Sequence, residues 1–217
     1  MTTNDKQHVD AFTQLASATD EFEQYKSLHA VRIAELADEI AQNFLLASRD
    51  RRSLRAAALL HDLGEAAMER DYIQRHAALS DEERIDLARH PVIGEQESAR
   101  AGADRATTLL VRWHHEWWNG SGYPDGLRGD EIPLAGRILR LADSYASLTA
   151  GRPFRAAHSA AAARQLIIER AGIEFDPRVV QTFLQLDLAE HLEPAEEEAQ
   201  SHDNEHESKE LFSSFMK

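Results

Sequence analysis

Histidines and carboxylates lie in small groups along this chain, and the densest group begins at His114 and His115. These two histidines open a run that ends at Leu127 and holds four glycines or prolines within one seven-residue stretch. Imidazoles and carboxylates are ligands for divalent transition metals. Glycine adopts backbone shapes closed to other residues and proline fixes its own φ, so the run predicts a rigid loop that presents Tyr123 beside a metal site. Adjacent helical residues point about 100° apart, so the two histidines would serve one ion at two angles, or one ion and a neighbouring group.

A second group, His61 and Asp62, follows the segment Ala56–Leu60, which is apolar on nearly all sides and predicts a buried helix. Burying an unpaired carboxylate costs several kcal/mol, and an unpaired imidazole also carries a penalty. A metal ion would remove both penalties. The alternative is an internal hydrogen bond between the two side chains that caps the helix end.

Three more polar residues lie beside apolar helical patterns. His29 shares one helical face with the apolar positions of Ile33–Ile40, and the alternative for it is a core histidine without a ligand role. His90 precedes Pro91, which places it at a helix terminus, where a side chain can reach inward. Asp143 lies in an apolar segment and needs a partner there.

Together these positions supply more ligands than one ion with open coordination positions would use. Two ions bridged by one carboxylate fit the set. The candidates are His29, His61, Asp62, His90, His114, His115 and Asp143.

The loop run resembles the signature of the HD-GYP family, whose pattern continues through Ile132-Pro133 and Arg137-Ile138 to Asp143. The likeness covers roughly residues 25 to 184 and includes the tripeptide Phe175-Asp176-Pro177. It implies an all-α fold, an HD-domain helical bundle of about seven to nine helices with a GYP loop. It also implies that the chain binds two or three metal ions and hydrolyses cyclic di-GMP.

The resemblance further implies how the ligands divide between the ions. His29, His61, Asp62 and Asp143 would hold the first ion, and Asp62, His90, His114 and His115 would hold the second. Members with three metals carry a glutamate where this chain has Tyr25, so we expect two divalent ions, iron or manganese.

Family resemblance also suggests roles in the reaction. A pair of ions about 3.5–4 Å apart lowers the pKa of a shared water, which would attack phosphorus in line. His61, Asp62 and Glu65 would act in catalysis, and Tyr123, Arg152 and Arg155 would contact the dinucleotide. A guanidinium binds phosphate well through its fork. The alternative for both arginines is a salt bridge to nearby acids.

Two residues near these ligands depart from the family pattern. Glu65 stands where the family usually has a lysine, and Ala146 stands where it usually has an aspartate. Removing one member of a buried ion pair strands a charge, so we hypothesise that the lysine and the aspartate were replaced together. Glu65 follows His61 by four residues, and whether it reaches a metal is left open.

The resemblance predicts a metal-dependent phosphodiesterase that converts cyclic di-GMP to linear pGpG or to GMP. The two departures favour an alternative, a signalling protein that binds metal or cyclic di-GMP, turns over little and acts through a protein partner. A third interpretation is an HD-type phosphohydrolase for other nucleotides, which the Gly-Tyr-Pro loop disfavours.

Composition limits the partners and the compartment. The chain has 217 residues and a formal net charge of −14 at pH 7, so its surface repels nucleic acid polymers and anionic membranes. It has no cysteine. It also lacks a signal-peptide core and an apolar run of about 20 residues, so we expect a cytoplasmic protein.

Patterning divides the chain into a lead-in helix over 1–20, the HD-GYP domain over 21–192 and an acidic, disordered tail over 193–217. Within the domain, helical periodicity predicts continuous helices over about 20–46, 53–64 and 95–117. Neither end is long enough for a sensory domain, so we expect any regulatory signal to act through a partner protein, the tail or the expression level.

Overall fold

The computed structural model describes residues 3–25, 28–75, 77–151 and 156–187, and of residues 3–9 the backbone alone. These residues form ten α-helices and no β-strand, which confirms the all-α prediction. The helices are α1 Thr3–Phe22, α2 His29–Asn43, α3 Ser48–Leu60, α4 Leu63–Met68, α5 Asp81–Leu87, α6 His90–Arg100, α7 Arg105–Trp113, α8 Leu134–Thr149, α9 Ala160–Glu169 and α10 Pro177–Leu184. Only α4 and α5 are shorter than eight residues, so eight helices of at least two turns remain, within the predicted range.

Three parts of the sequence-based assignment lie outside the described residues. These are Arg152, Arg155 and the predicted tail over 193–217. The predicted domain boundaries stay predictions. Within the described residues, no helix combines the length and the apolar character needed to cross a membrane.

Helix α8 lies at the centre of the bundle. It packs against α2, α3, α7, α9 and α10, and its buried positions run almost without interruption from Gly136 to Leu148. A helix that is buried all round must satisfy any polar side chain it carries internally. Three such side chains on α8 are Arg137, Arg140 and Asp143.

The predicted continuous helix over 20–46 is wrong, because the chain turns between α1 and α2. Gln24 has a φ of 64°, in the left-handed region that ends helices. The carboxylate of Asp20 then accepts the backbone N–H of Ala30, with both oxygens 3.3 Å away. A side chain from α1 therefore caps α2 and fixes His29 in its first turn.

The predicted continuous helices over 53–64 and 95–117 are also wrong. α3 ends at Leu60 and α4 begins at Leu63, so the intervening residues form a turn. α6 ends at Arg100, Gly102 has a φ of 88°, and the Asp104 side chain accepts the backbone N–H of Thr107 at 2.8 Å to start α7. The second break follows standard stop and start signals, a glycine with positive φ and an aspartate N-cap.

A capping box at Ser80 begins α5. Its Oγ accepts the N–H of Glu83 at 3.2 Å, while the Glu83 carboxylate accepts the N–H of Ser80 at 2.8 Å. The helix that follows, α5, ends at Leu87. His90 begins α6, with Pro91 in the first turn, where proline loses no helical hydrogen bond.

Candidate metal centre

The structure brings the seven sequence-predicted ligands together in two groups. Within each group the potential ligand atoms all lie within 4.8 Å of one another. The first group is His29, His61 and Asp143, and the second is Asp62, His90, His114 and His115. They come from the start of α2, the α3–α4 turn, the start of α6, the end of α7 and the middle of α8. Residues separated by more than a hundred positions thus meet in the interior of the bundle.

Asp62 lies between the two groups. Its Oδ2 is 2.9 Å from Nε2 of His61, in the first group. Its Oδ1 is 3.4 Å from Nε2 of His90 and 3.5 Å from Nε2 of His114, in the second. One carboxylate therefore faces both groups with different oxygens, which is the geometry of a bridging ligand.

Three of the histidines are oriented by the same contact. Nδ1 of each donates to the carbonyl oxygen three residues earlier: His61 to Ala58 at 3.0 Å, His90 to Leu87 at 2.8 Å and His114 to Val111 at 2.6 Å. When such a ring is neutral and donates from Nδ1, its lone pair is on Nε2. Backbone carbonyls of this kind fix the tautomer and orientation of metal-binding histidines.

The lone-pair atoms of these side chains are arranged to bind a cation. Nε2 of His90 lies 3.2 Å from Nε2 of His114, and the carbonyl contacts place a lone pair on each of these atoms. Two lone pairs facing each other repel unless a proton or a metal ion lies between them. Asp62 Oδ1 and His61 Nε2 are buried atoms without a hydrogen bond of acceptable geometry. Divalent ions would satisfy all four atoms at once.

In the metal-free protein, His61 and Asp62 form a charged pair. Burial lowers the pKa of His61, but the adjacent Asp62 charge outweighs it, and that pKa rises to about 10. Burial raises the pKa of Asp62, but the charge of His61 and contacts with the imidazoles hold it well below its usual value. The site therefore stores a proton on His61 that a metal ion must displace.

His115 differs from the other three histidines. Its Nδ1 lies 3.0 Å from Nη1 of Arg140 instead of a carbonyl oxygen. Burial lowers the pKa of His115 well below its usual value, and the charges of His114 and Arg140 lower it further, so the ring is neutral. It stacks on Tyr123 with ring centroids 4.8 Å apart.

Arg140 was not identified from the sequence. It is 2% exposed and donates from Nη1 to Asp143 Oδ2 at 3.2 Å, and from Nε to Glu174 Oε1 at 3.0 Å. One turn earlier on α8, Arg137 donates from Nη1 to Asp176 at 2.9 Å. The signal was present as an arginine inside the apolar run Ile138–Ala142 and three residues before Asp143, but its other acidic partner, Glu174, lies 34 residues away.

The loop after His115 is held by Glu116, which was also missed. Its Oε1 accepts the backbone N–H groups of Asp125 and Gly126 at 2.7 and 3.1 Å, and its Oε2 accepts that of Leu127 at 2.9 Å. A carboxylate that accepts three N–H groups organises a tight loop. A Cβ at Gly122 would lie 2.3 Å from the backbone nitrogen of Trp117, so the loop requires glycine there.

The remaining predicted site residues lie at the edge of the centre. Tyr123 is partly exposed and its ring stacks on His115, and desolvation raises its pKa. Glu65 Oε1 is 3.8 Å from Nδ1 of His90, on the side of the ring away from Asp62, and Glu65 is in neither ligand group. Its predicted catalytic role stays a prediction. The predicted substrate contacts of Arg152 and Arg155 lie outside the described residues.

Comparisons with known proteins agree with this architecture. A model of the HD domain family matches residues 7–179. A cyclic di-GMP phosphodiesterase of Vibrio cholerae is 36% identical over 151 residues, which cover 64% of this chain and 31% of that protein. The 3'3'-cGAMP-specific phosphodiesterase 3 of the same organism is 32% identical over 188 residues, which cover 87% of this chain and 40% of that protein.

Among solved structures, a cyclic GMP-AMP specific phosphodiesterase of V. cholerae superposes with a TM-score of 0.63 at 21% identity. The match covers 80% of this chain and 48% of that one, and it shows a shared fold. The chain spans about a third to two fifths of the length of the curated relatives described above.

Proposed function

The chain belongs to the HD domain family, and on that premise we propose that it is a metal-dependent phosphodiesterase that hydrolyses cyclic di-GMP to linear pGpG or GMP. The observation that carries the proposal is Asp62, whose two oxygens face two separate groups of imidazole and carboxylate ligands. The relatives named cyclic di-GMP phosphodiesterases support the choice of substrate.

The two ligand groups support a centre of two divalent ions, which we propose to be iron or manganese on the family resemblance. Residues His29, His61 and Asp143, with the adjacent Asp62, would hold the first ion, and Asp62, His90, His114 and His115 would hold the second. Nδ1 of His115 also lies 3.0 Å from Nη1 of Arg140. When bound, two such ions supply an activated water and neutralise charge on the phosphoryl oxygens.

The chain's own residues would orient the reaction. The backbone carbonyls behind His61, His90 and His114 hold the rings, so little reorganisation is needed when a ligand arrives. Glu116 holds the loop that carries Tyr123 beside His115, where an anionic substrate would lie between the loop and the ligand groups. Because the chain carries a net charge of −14, local cations are needed to attract a dinucleotide.

A related substrate, 3'3'-cGAMP, is the second candidate. The relative named as specific for it is 32% identical over 87% of this chain. Cyclic di-GMP and 3'3'-cGAMP share the phosphodiester ring and differ in one base, so the same centre would act on either.

Turnover of purified protein tests the proposal. The protein is prepared without oxygen and loaded with iron or manganese, and cyclic di-GMP and 3'3'-cGAMP are followed by chromatography. We expect linear pGpG or GMP from the first substrate, and Asp62→Asn to abolish its formation. Glu35→Gln removes an exposed carboxylate on α2 and should leave the rate unchanged. Binding of cyclic di-GMP without hydrolysis would instead identify a signalling protein, in line with the departures at Glu65 and Ala146.

A further inference from the structure

The ring of Tyr25 lies against one face of His29, a predicted ligand of the first ion. The two rings are nearly parallel, with an interplanar angle of 12° and centroids 3.8 Å apart. Both side chains are buried, at 9% exposure for Tyr25 and 1% for His29. Aromatic rings in contact attract each other beyond the effect of the area that they bury, so this stack favours one orientation of the imidazole.

The other histidines with a known orienting contact obtain it from a preceding helix. The carbonyl oxygens behind His61, His90 and His114 belong to α3, α5 and α7, each of which ends within three residues of its histidine. The helix before His29 is α1, and it ends at Phe22, seven residues earlier. The same arrangement with the preceding helix is therefore not open to His29, and the ring of Tyr25 supplies an orienting contact of another kind.

Asp20 holds the turn that carries Tyr25. Its backbone carbonyl accepts the N–H of Tyr25 at 2.9 Å, and its carboxylate accepts the N–H of Ala30, with both oxygens 3.3 Å away. Asp20 is buried, and Gln24 reverses the chain with its φ of 64°. One residue of α1 thus fixes both Tyr25 and the first turn of α2, so the relative position of the two rings is set by the backbone as well as by their own contact.

We propose that Tyr25 is a positioning residue for the first ion, and that α1 is the element that holds it in place. Outer contacts of this kind orient metal ligands and raise metal affinity. The residues of the second ligand group come from elements other than α1 and α2, so the two sites should differ in their dependence on Tyr25. The inference rests on the proposed metal centre, but not on the proposed substrate.

Release of Zn²⁺ from the full chain to a competing chelator tests the proposal. His29→Ala identifies the first ion and His114→Ala identifies the second. We expect Tyr25→Ala to bind the first ion about 10-fold more weakly, with the second ion unchanged. Tyr25→Leu keeps apolar bulk without a flat ring and should show the same weakening. Tyr25→Phe keeps the ring and should bind both ions as the unmodified protein does.

Phe12→Ala is the matched control for a general loosening of α1. Phe12 is another buried aromatic residue of this helix, and it packs into the apolar core. Loss of its ring should lower the free energy of unfolding in urea but leave the first ion bound as before. An unchanged first ion in Tyr25→Ala and Tyr25→Leu, equal weakening in Phe12→Ala, or weakening in Tyr25→Phe as large as in Tyr25→Ala would overturn the proposal.

The ion measurement needs no substrate, which separates this inference from the proposed function. If both ions bind and no cyclic dinucleotide is hydrolysed, the proposed function fails, while the affinities of the variants still decide the role of Tyr25. If the unmodified protein binds no Zn²⁺, the metal centre and the role of Tyr25 are both wrong.

Discussion

Asp62 Oδ2 lies 2.9 Å from Nε2 of His61, its neighbour in the sequence, and this contact joins the two ligand groups. The contact exists because α3 ends at Leu60 and α4 begins at Leu63, so both side chains leave the turn between two helices. In a continuous helix, adjacent side chains would point about 100° apart. The break is therefore what allows one dipeptide to serve both groups.

The stability of the metal-free protein should fall at alkaline pH. His61 has a pKa of about 10 in the folded protein, above its unfolded value of 6.5. Its contribution to the free energy of unfolding is therefore complete below pH 6.5 and is lost as the pH rises towards 10. We expect the Tm of metal-free protein to drop by several degrees across this range, at ~2–4 °C per kcal/mol for a chain of this size.

The same measurement has two controls. His61→Ala removes the titrating ring, and bound Zn²⁺ replaces its proton, so both samples should lack the His61 contribution to the alkaline decline. An equal decline in all three samples would show that the pH effect comes from other groups. At acidic pH the sign reverses for Asp62: its pKa is lowered, so its contribution is lost as the pH falls through that value.

Gly64→Ala should disturb both stability and the second ligand group. A Cβ at position 64 would lie 2.1 Å from the carbonyl oxygen of His90 and 2.8 Å from the backbone nitrogen of Gly94. α4 would have to move away from α6, and overpacking of this kind costs about 1–3 kcal/mol. Urea unfolding should show the loss, and Zn²⁺ titration should show weaker binding of one ion.

Gly136→Ala is the matched control for this substitution. Its Cβ would meet only side-chain atoms, the nearest being Ile132 Cγ2 at 3.4 Å. Alanine is favoured over glycine in a helix by about 0.5–1 kcal/mol, so this variant should be as stable as the unmodified protein or slightly more stable. Equal destabilisation by both changes would show that the α4–α6 contact has no special importance.

Glu116→Ala should loosen the loop that carries Tyr123. The substitution leaves three partly buried backbone N–H groups without their acceptor, and each such hydrogen bond contributes about 0.5–1.5 kcal/mol. We expect faster proteolysis within residues 119–128 and a higher KM for cyclic di-GMP, with the number of bound ions unchanged.

Glu131→Ala provides the comparison within the same loop region. Its carboxylate accepts one N–H, from Arg128 at 2.9 Å, and both residues are exposed. A solvent-exposed contact of this kind contributes little, so proteolysis and KM should stay near those of the unmodified protein. If the two variants behave alike, Glu116 does not organise the loop.

The departures at Glu65 and Ala146 should prove energetically coupled. Ala146 is 1% exposed, so Ala146→Asp alone buries a charge. Glu65 Oε1 lies 3.8 Å from Nδ1 of His90, so Glu65→Lys alone places an ammonium group near that ring. We expect the double change to recover stability and turnover relative to the sum of the singles, by about 0.5–3 kcal/mol of coupling. Additive effects in urea unfolding and in turnover would end the hypothesis that the two positions changed as a pair.

The sequence identified the ligand types because buried imidazoles and carboxylates are costly without partners. His29 lies on a helical face that periodicity marks as buried, and His61 and Asp143 lie beside or within apolar segments, so their burial follows from the sequence pattern. The confirmed family resemblance supplied the relation between distant positions, which periodicity within single helices does not contain.

Residues whose role depends on tertiary contacts could not be identified from the sequence. The predicted helix over 20–46 began too early, because the cap of α2 is the side chain of Asp20, a residue of the preceding helix. Arg140 was missed because its pairing with Glu174 and His115 spans 34 and 25 residues. Glu116 was missed because its three partners are backbone groups of a loop, which leave no side-chain signature.

The central claim is that two ions lie in this bundle with Asp62 between them. Diffraction from crystals of the full chain loaded with Mn²⁺, recorded at a wavelength where manganese scatters anomalously, locates such ions directly. The account predicts two peaks about 3.5–4 Å apart, one beside His29, His61 and Asp143 and one beside His90 and His114. A single peak, or two peaks that do not both contact Asp62, would contradict it.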